Sequence, residues 1–392
     1  MEGVEGTRDD AALREALVDG LLAERHLTQP RVAEAFRAVP RHLFLPGMDL
    51  AVVYQDEAIA IKVTDGRWIS SSSQPAIMAI MLEQLDLQPG QRVLEVGAGS
   101  GFNAALIAYL VGDASLVTAV DIDDDLVEQA HANLEAAGCG DVGVVCADGW
   151  EGYRPHAPYD RVVLTVGAWD ISPAWVEQLR EGGILLLPLD LYGMQLSVAF
   201  EKRAGVLRSR SVRCCGFIRL RGDHAGPQVA VPLDESGKAL VRAANAGRLN
   251  LERLRALLAD RPQVDQWAFP GDWLSHFSFN LWLGWNGVPV MGLQLDEPAF
   301  GLDAGGYEGI YEEETASLCL VGQTEENARP RYTYGSPGAR DRLQAMADGW
   351  QAKGPPDPRA LRVTTYPIEA TVKPAEGERL LGKQWWQYVV RW

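Results

Sequence analysis

Positive charge is what this chain is short of. Its 392 residues carry 36 basic against 53 acidic side chains, a net charge of −17. A surface this acidic repels phosphate backbones, so no nucleic-acid partner is expected. Cysteine is also sparse: the five are odd in number, form no C-x-x-C, and include the adjacent Cys214 and Cys215. That pattern excludes a disulfide framework and fits a reducing, cytoplasmic setting. No apolar run reaches the roughly 18–20 residues that span a bilayer, so no membrane partner is expected. The opening MEGVEGTRDD lacks the basic-then-apolar order of a secretion signal. The six histidines show no paired metal spacing, and no metal site is expected. What remains is ordinary globular composition, 47% hydrophobic and 23% charged, over a length that predicts two domains.

Periodicity divides the chain. Residues 11–45 read as two amphipathic helices, the second opened by Pro30 and stopped by Pro40 and Pro46. A loop-rich stretch ends at Arg67-Trp68-Ile69 and the run Ser70, Ser71, Ser72, Ser73, and helical spacing resumes over 76–85. From Arg92, short apolar runs at 92–96, 116–122, 143–147, 159–166 and 183–189 alternate with helical ones near 102–111, 124–137 and 172–181. Alternation of this kind predicts a parallel sheet covered by helices on both faces. Residues 195–201 and 206–217 then predict an antiparallel pair closing the sheet. Gly222–Pro227 reads as a linker. Beyond it the pattern predicts a helix over 250–260 capped by Asn250, strands over 278–292, 316–322 and 361–372, and a helix near 337–351. Trp282, Leu283 and Trp285 are read as alternation on a half-buried strand. Eight of the twelve tryptophans lie in this second half, and each is read first as core. Glu312–Glu314 and Glu325-Glu326 are read as solvated loop charges.

The chemistry is concentrated at Glu95-Val96-Gly97-Ala98-Gly99-Ser100-Gly101, where the first parallel strand should hand over to a helix. Glycines at such a turn let backbone amides approach a ligand. The spacing is G-x-G-x-G and not the G-x-G-x-x-G of dinucleotide folds, which favours S-adenosylmethionine (SAM) over NAD. Asp121, followed by Ile122, ends the next strand, where a carboxylate can accept both ribose hydroxyls. Asp148-Gly149 ends the third strand, where a carboxylate can accept from an adenine amino group. A cofactor-free α/β domain, an NAD oxidoreductase and a silent SAM-binding scaffold are the competing readings.

With these residues in place the chain resembles the protein-L-isoaspartate O-methyltransferase family. The resemblance runs through Pro30-Arg31-Val32, Val39-Pro40-Arg41-His42-Leu43-Phe44, Ile69-Ser70, Ser73-Gln74-Pro75, Leu94–Gly101, Asp148-Gly149, Ala157–Asp160 and Gln178–Gly183, over roughly residues 25–220. It implies a Rossmann-like SAM-dependent methyltransferase, doubly wound around a mainly parallel sheet with an antiparallel closing strand. Residues 1–75 would supply N-terminal helices and the active-site loop, 76–225 the SAM-binding core, and 231–392 a smaller mixed α/β extension. It further implies Ser73 as the loop hydroxyl beside the attacking carboxylate, with Ser73, Glu95, Gly97, Ala98, Gly99, Gly101, Asp121, Ile122, Asp148 and Gly149 around SAM and its product S-adenosylhomocysteine (SAH). His42 belongs to the family's structural run.

The chain departs from the family pattern at the loop. Lys62–Ser73 stands where the family has a shorter G-x-G-Q-T-I-S, so Ser70, Ser71, Ser72 and Trp68 become candidate substrate contacts. Together with the extension, the rebuilt loop resembles the long relatives that methylate an aspartate in a ribosomally made, macrocyclised peptide of the lanthipeptide or graspetide type. That resemblance implies an aspartyl methyl ester closing to a succinimide (aspartimide) and hydrolysing to isoaspartate, with the modified peptide as partner. Isoaspartate repair with an accessory domain is the alternative.

Overall fold

The structure, a computed structural model, describes residues 6–268, 273–322 and 328–392. The first residues of the chain, Glu325-Glu326 and the side chain of Trp273 lie outside the described set. Contacts divide the chain into two bodies. One comprises the chain through Leu189, Gln195–Ala225 and Arg362–Arg391, and the other comprises Asp190–Met194, Gly226–Leu361 and Trp392.

The first body opens with helices α1 (Gly6–Ala23), α2 (Pro30–Ala38) and the single turn α3 (Leu50–Val53), followed by a hairpin of β1 (Ile59–Thr64) and β2 (Arg67–Ser72) and by α4 (Pro75–Leu85). Proline at the first turn of both α2 and α4 sets their start, since its missing N–H has no helical partner to lose. The alternating segment then follows as β3 (Val93–Val96), α5 (Phe102–Val111), β4 (Val117–Asp121), α6 (Asp124–Ala136), β5 (Gly143–Cys146), β6 (Tyr159–Leu164), α7 (Pro173–Gln178), β7 (Leu179–Leu191), β8 (Met194–Arg203) and β9 (Val206–Cys214). β3 pairs in parallel with both β4 and β6, β4 with β5, and β6 with β7, whereas β9 runs antiparallel to β8. The strand order 7-6-3-4-5 reverses direction at β3. A ligand crevice is expected at that switch point, beyond the carboxyl ends of the strands.

The second body is built on β10 (Ala230–Pro232), β11 (Ala239–Ala243), β12 (Gln263–Ala268), β13 (Val290–Leu295), β14 (Gly305–Glu312), β15 (Ser317–Gly322) and β16 (Ala328–Gly335), in the order 10-11-13-14-15-16-12, every neighbouring pair antiparallel. Helices α8 (Leu251–Leu258), α9 (Trp273–Trp285) and α10 (Gly338–Ala352) accompany it. The strand expected over 278–292 is corrected: it is α9 followed by β13. Leu281, Trp282 and Leu283 are buried in succession, which a half-buried strand forbids and a helix enclosed on most sides allows. Trp267, Trp282 and Trp350 are core residues here. Glu312 accepts from Arg342 at 2.8 Å and is therefore an ion-pair partner, where a solvated charge was expected.

The expected extension over 231–392 is not one body. Past Leu361 the chain returns to the first sheet as β17 (Arg362–Pro367), β18 (Glu378–Gly382) and β19 (Trp386–Arg391). β17 adds antiparallel to β9, β19 to β17 and β18 to β19, giving ten strands in all. The signal missed is the short apolar, β-branched and aromatic run Trp386-Gln387-Tyr388-Val389-Val390, of which all but Gln387 are buried.

Candidate active site

The glycine turn between β3 and α5 sits at the switch point. Gly97, Gly99 and Gly101 all take positive φ, 100°, 52° and 86°. A Cβ at Gly97 would lie 2.8 Å from Thr165 Oγ1 and 2.9 Å from Val166 Cγ1, so side-chain room and backbone conformation both demand glycine. The Gly97 and Ala98 amides donate to the Val120 carbonyl at 2.8 and 3.0 Å, fastening the turn to β4. Asp121, nearly buried at the end of β4, accepts from the Gly99 amide at 3.0 Å and from the Ile122 amide at 2.8 Å. Its carboxylate therefore organises the turn and faces the same crevice. At the end of β5, Asp148 Oδ1 accepts from the Trp150 amide at 2.9 Å. A Cβ at Gly149 would strike Val96 Cγ1 at 2.4 Å, which brings this turn hard against β3. Glu95 is fully buried. Its Oε1 accepts from Asn103 Nδ2 at 2.7 Å while Oε2 finds no partner, and burial pushes the carboxyl up to about 8.

These residues fit SAM. Two acids at successive strand ends and glycines at a helix N-terminus are the donor and acceptor set it needs, and the orphaned Glu95 Oε2 awaits a donor. Of the residues read from the sequence as cofactor contacts, Glu95, Gly97, Ala98, Gly99, Gly101, Asp121, Ile122, Asp148 and Gly149 lie at and just beyond the carboxyl ends of the adjacent strands β3, β4 and β5, and Ser73 follows β2.

The serine run falls on β2 and the turn after it. A bulge between Trp68 and Ser70 breaks the two-residue alternation of β2, so Trp68 and the serines do not share a regular face, and burial deepens from Trp68 to Ser72. A Cβ at Gly99 would lie 3.7 Å from the Ser71 carbonyl and 3.9 Å from Ser70 Oγ, so the hairpin covers the glycine turn. Ser72 is buried with its hydroxyl unpartnered. Ser73 follows the strand, and its carbonyl accepts from Arg41 Nη2 at 3.1 Å. Trp68 is 52% exposed, opposite Val63 at 53%.

Several residues missed by the sequence reading hold this arrangement. Arg41, buried in a motif read as a helix stop, also donates to the carbonyls of Val53, Gln55 and Glu57, and burial lowers its pKa to about 10, still cationic at neutral pH. Asp56 accepts from the Ala76 amide at 2.7 Å and from the Gln74 side chain, fixing the start of α4 behind Ser73. His42 bonds Tyr54 at 2.8 Å.

Asp123, two residues past Asp121, is a clasp between separate segments. It accepts both nitrogens of Arg221, at 2.6 and 3.1 Å, and lies 3.1 Å from Lys62 Nζ on the hairpin. The Arg221 hydrogen bonds hold its carboxyl below the usual range. The segment read as a linker starts beside it: a Cβ at Gly222 would lie 3.2 Å from Asp148 Oδ2, and His224 stacks on Trp150 at 4.5 Å and 4°. No sequence motif marks these contacts, because each joins residues roughly 60–100 positions apart.

Comparisons with known proteins identify the family. The family model described as protein-L-isoaspartate(D-aspartate) O-methyltransferase matches residues 12–225. The protein-L-isoaspartate O-methyltransferase of Hyperthermus butylicus is 38% identical over 230 residues, 56% of this chain and 93% of its own. That of Pyrococcus horikoshii is 39% identical over 210 residues, 53% of this chain and 92% of its own. A solved protein-L-isoaspartate O-methyltransferase is similar over 90% of this chain and 96% of its own, with a TM-score of 0.51 and 25% identity. With a match spanning more than half of its length, the chain belongs to the protein-L-isoaspartate(D-aspartate) O-methyltransferase family of SAM-dependent protein carboxyl O-methyltransferases.

Proposed function

We propose that the protein esterifies the free carboxylate of an isoaspartyl residue in a peptide or protein. The observation that carries this reading is the solved isoaspartate methyltransferase that is similar over 90% of this chain. A long chain is therefore compatible with that substrate, and length alone no longer favours another.

SAM, when bound, supplies a methyl group on a sulfonium. The chain's own work is to bind, align and exclude water. Gly97, Gly99 and Gly101 give backbone access, Asp121 takes the ribose hydroxyls, Asp148 the adenine amine, and Glu95 Oε2 a donor from the methionine part. The acceptor carboxylate is ionised at neutral pH, so no general base is needed. One carboxylate oxygen forms a bond to the methyl carbon, the carbon–sulfur bond breaks, and its electron pair stays on sulfur in SAH. No proton is transferred. Ser73 holds the acceptor carboxylate by its hydroxyl, and Ser70 and Ser72, on the strand above the glycine turn, are the neighbouring donors. In an acidic protein such local donors must offset long-range repulsion of an anionic group.

A second reading is favoured by one observation, the hairpin over Ile59–Ser72 with Trp68 and Val63 exposed at its tip. It suits an aspartyl carboxylate in a folded, macrocyclic ribosomal peptide, with Gly226–Leu361 recognising that peptide. After esterification, the next residue's amide nitrogen attacks the ester carbonyl and loses its proton. Methoxide leaves with that proton as methanol, and the succinimide closes.

Mass spectrometry after incubation with SAM separates the readings. An isoaspartyl peptide should gain one methyl while its aspartyl isomer gains none. Methylation confined to an aspartyl macrocycle overturns the first reading in favour of the second, and SAH release with neither class overturns both.

A further inference from the structure

The returning segment Arg362–Arg391 does more than lengthen a sheet. The loop Thr165–Ser172 leaves the carboxyl end of β6 beside the cofactor turn, where Thr165 Oγ1 donates to the Gly97 carbonyl at 2.6 Å. Its first half is held by the family core: Gly167 N donates to Ile218 O at 2.8 Å, and Ala168 N to Pro188 O at 2.7 Å. Its second half is held by the returning segment. Asp170 is fully buried. Its Oδ1 accepts from the Tyr388 hydroxyl and from the Ile171 amide at 2.8 Å, and its Oδ2 accepts from the Trp385 amide at 2.9 Å. Lys383 Nζ donates to the Trp169 carbonyl, with its ammonium 5.9 Å from the Trp169 ring centroid and 4.9 Å from that of Tyr388. Trp386 Nε1 donates to Ile171 O at 2.8 Å.

Four hydrogen bonds from a segment more than 200 residues away thus fix the loop that leaves the carboxyl end of β6. A segment that only extended the sheet would pair with β9 and leave that loop alone. The family model ends at residue 225, well before this segment. The tryptophans it orders, Trp169 and Trp385, are both partly exposed. The Trp385 ring lies 6.3 Å from Trp150, which follows Asp148 at the adenine end and stacks on His224. Aromatic faces left open beside a reaction site provide apolar contact area at little entropic cost.

We propose that Trp169 and Trp385 form one wall of the methyl-acceptor site and select peptides carrying an apolar or aromatic side chain next to the acceptor carboxylate, with Asp170 and Tyr388 as positioning residues. The proposal rests on the reading of the protein as a peptide carboxyl methyltransferase. It includes no chemical step of its own. A side chain neighbouring the acceptor packs against the two indoles, and the buried Asp170 carboxylate keeps those indoles in place.

The test uses the full chain and two isoaspartyl peptides differing only in phenylalanine or serine beside the acceptor, with kcat, KM and the SAH Kd measured separately. The wild type should prefer the phenylalanine peptide about tenfold in KM. Trp385→Ala should erase that preference with the SAH Kd held within twofold, and Trp385→Phe should restore most of it. Tyr388→Phe should weaken the preference and leave SAH binding alone. Equal use of both peptides by the wild type overturns the wall, as does a Trp385→Ala effect that falls on the SAH Kd in step with KM. Methylation of neither peptide, while an aspartyl macrocycle is methylated, overturns the isoaspartyl reading instead. The wall is then read from the same variants on that macrocycle.

Discussion

Residues 226–361 and 362–391 follow the catalytic core in one continuous stretch, yet they belong to different bodies. The longer piece closes its own seven-stranded sheet and its own clusters of buried residues, around Leu254, Tyr307 and Tyr334 on one side and around Trp282 and Trp350 on the other. The shorter piece has too little apolar surface to fold alone and completes another sheet. The difference teaches that an extension is a description of sequence order, whereas membership of a body is decided by hydrogen-bond partners and burial. Here the last strands belong with Asp121 and Ser73, and the 136 residues before them do not.

The largest effect should come from deletion. Ending the chain at Leu361 removes the buried side chains of Trp386, Tyr388 and Val390, each contributing roughly 1.5–3 kcal/mol, and leaves Asp170 buried without two of its three donors, the Tyr388 hydroxyl and the Trp385 amide. SAH binding by calorimetry should be lost. A chain in which a short linker replaces residues 226–361 should bind SAH within a few-fold of the full protein. Equal losses in both would erase the distinction.

Point substitutions sharpen it. Asp121→Ala takes away the acceptor of the Gly99 and Ile122 amides, and SAH should bind at least about 100-fold more weakly, about 3 kcal/mol. Trp282→Ala empties a core position in the second body. It should cost that body about 3–5 kcal/mol and leave the SAH Kd unchanged, as two separate melting transitions in scanning calorimetry would show.

The two bodies should also respond oppositely to pH. Burial raises the Glu95 carboxyl to about 8. Between the ordinary carboxyl range and pH 8 the folded first body holds a proton that the unfolded chain lacks. The Glu95 contribution to its stability is therefore fully present in acid and is lost as pH rises through 8, by up to about 1.4 kcal/mol per pH unit. In the second body, burial acts upward on Glu308, but hydrogen bonds from His276 and Asn280 more than offset it and hold the carboxyl below the ordinary range. That contribution is complete above the ordinary carboxyl range and is lost as pH falls through the lowered value. Melting scans from acid to mildly alkaline pH should show the two transitions moving in opposite directions, with Glu95→Gln flattening the first and Glu308→Gln the second.

The smallest effect concerns the clasp. Arg221→Met removes the bidentate partner of Asp123, a pair about one-third exposed on the arginine side. SAH should dissociate a few-fold faster in stopped-flow fluorescence, less so at high salt, as expected of a partly solvated ion pair.

The glycine turn and the acids at the strand ends were legible in the sequence because their determinants are local. Glycines that must take positive φ, and acids at the ends of apolar runs, sit within a few residues of the element they serve. The parallel strands from β3 to β7 were legible for the same reason, short apolar runs bounded by turns. The contacts that join distant parts of the chain were not. Arg41, Asp123, Asp170 and Tyr388 act on backbone atoms or charges far along the chain, and nothing beside any of them marks the partner. α9 was misread because an apolar run without a polar face carries no period to distinguish helix from strand. The return of β17 was hidden because a strand's edge partner is a property of the fold, and Thr364 and Thr365 pair with Arg208 and Leu207 across some 150 residues.

The most direct measurement is hydrogen–deuterium exchange on the full chain with and without SAH. The account predicts that amides of β17 and β19 exchange with the same opening free energy as those of β8 and β9, and gain protection with them when SAH binds. Exchange of β17 and β19 in step with Gly226–Leu361, indifferent to SAH, would contradict it.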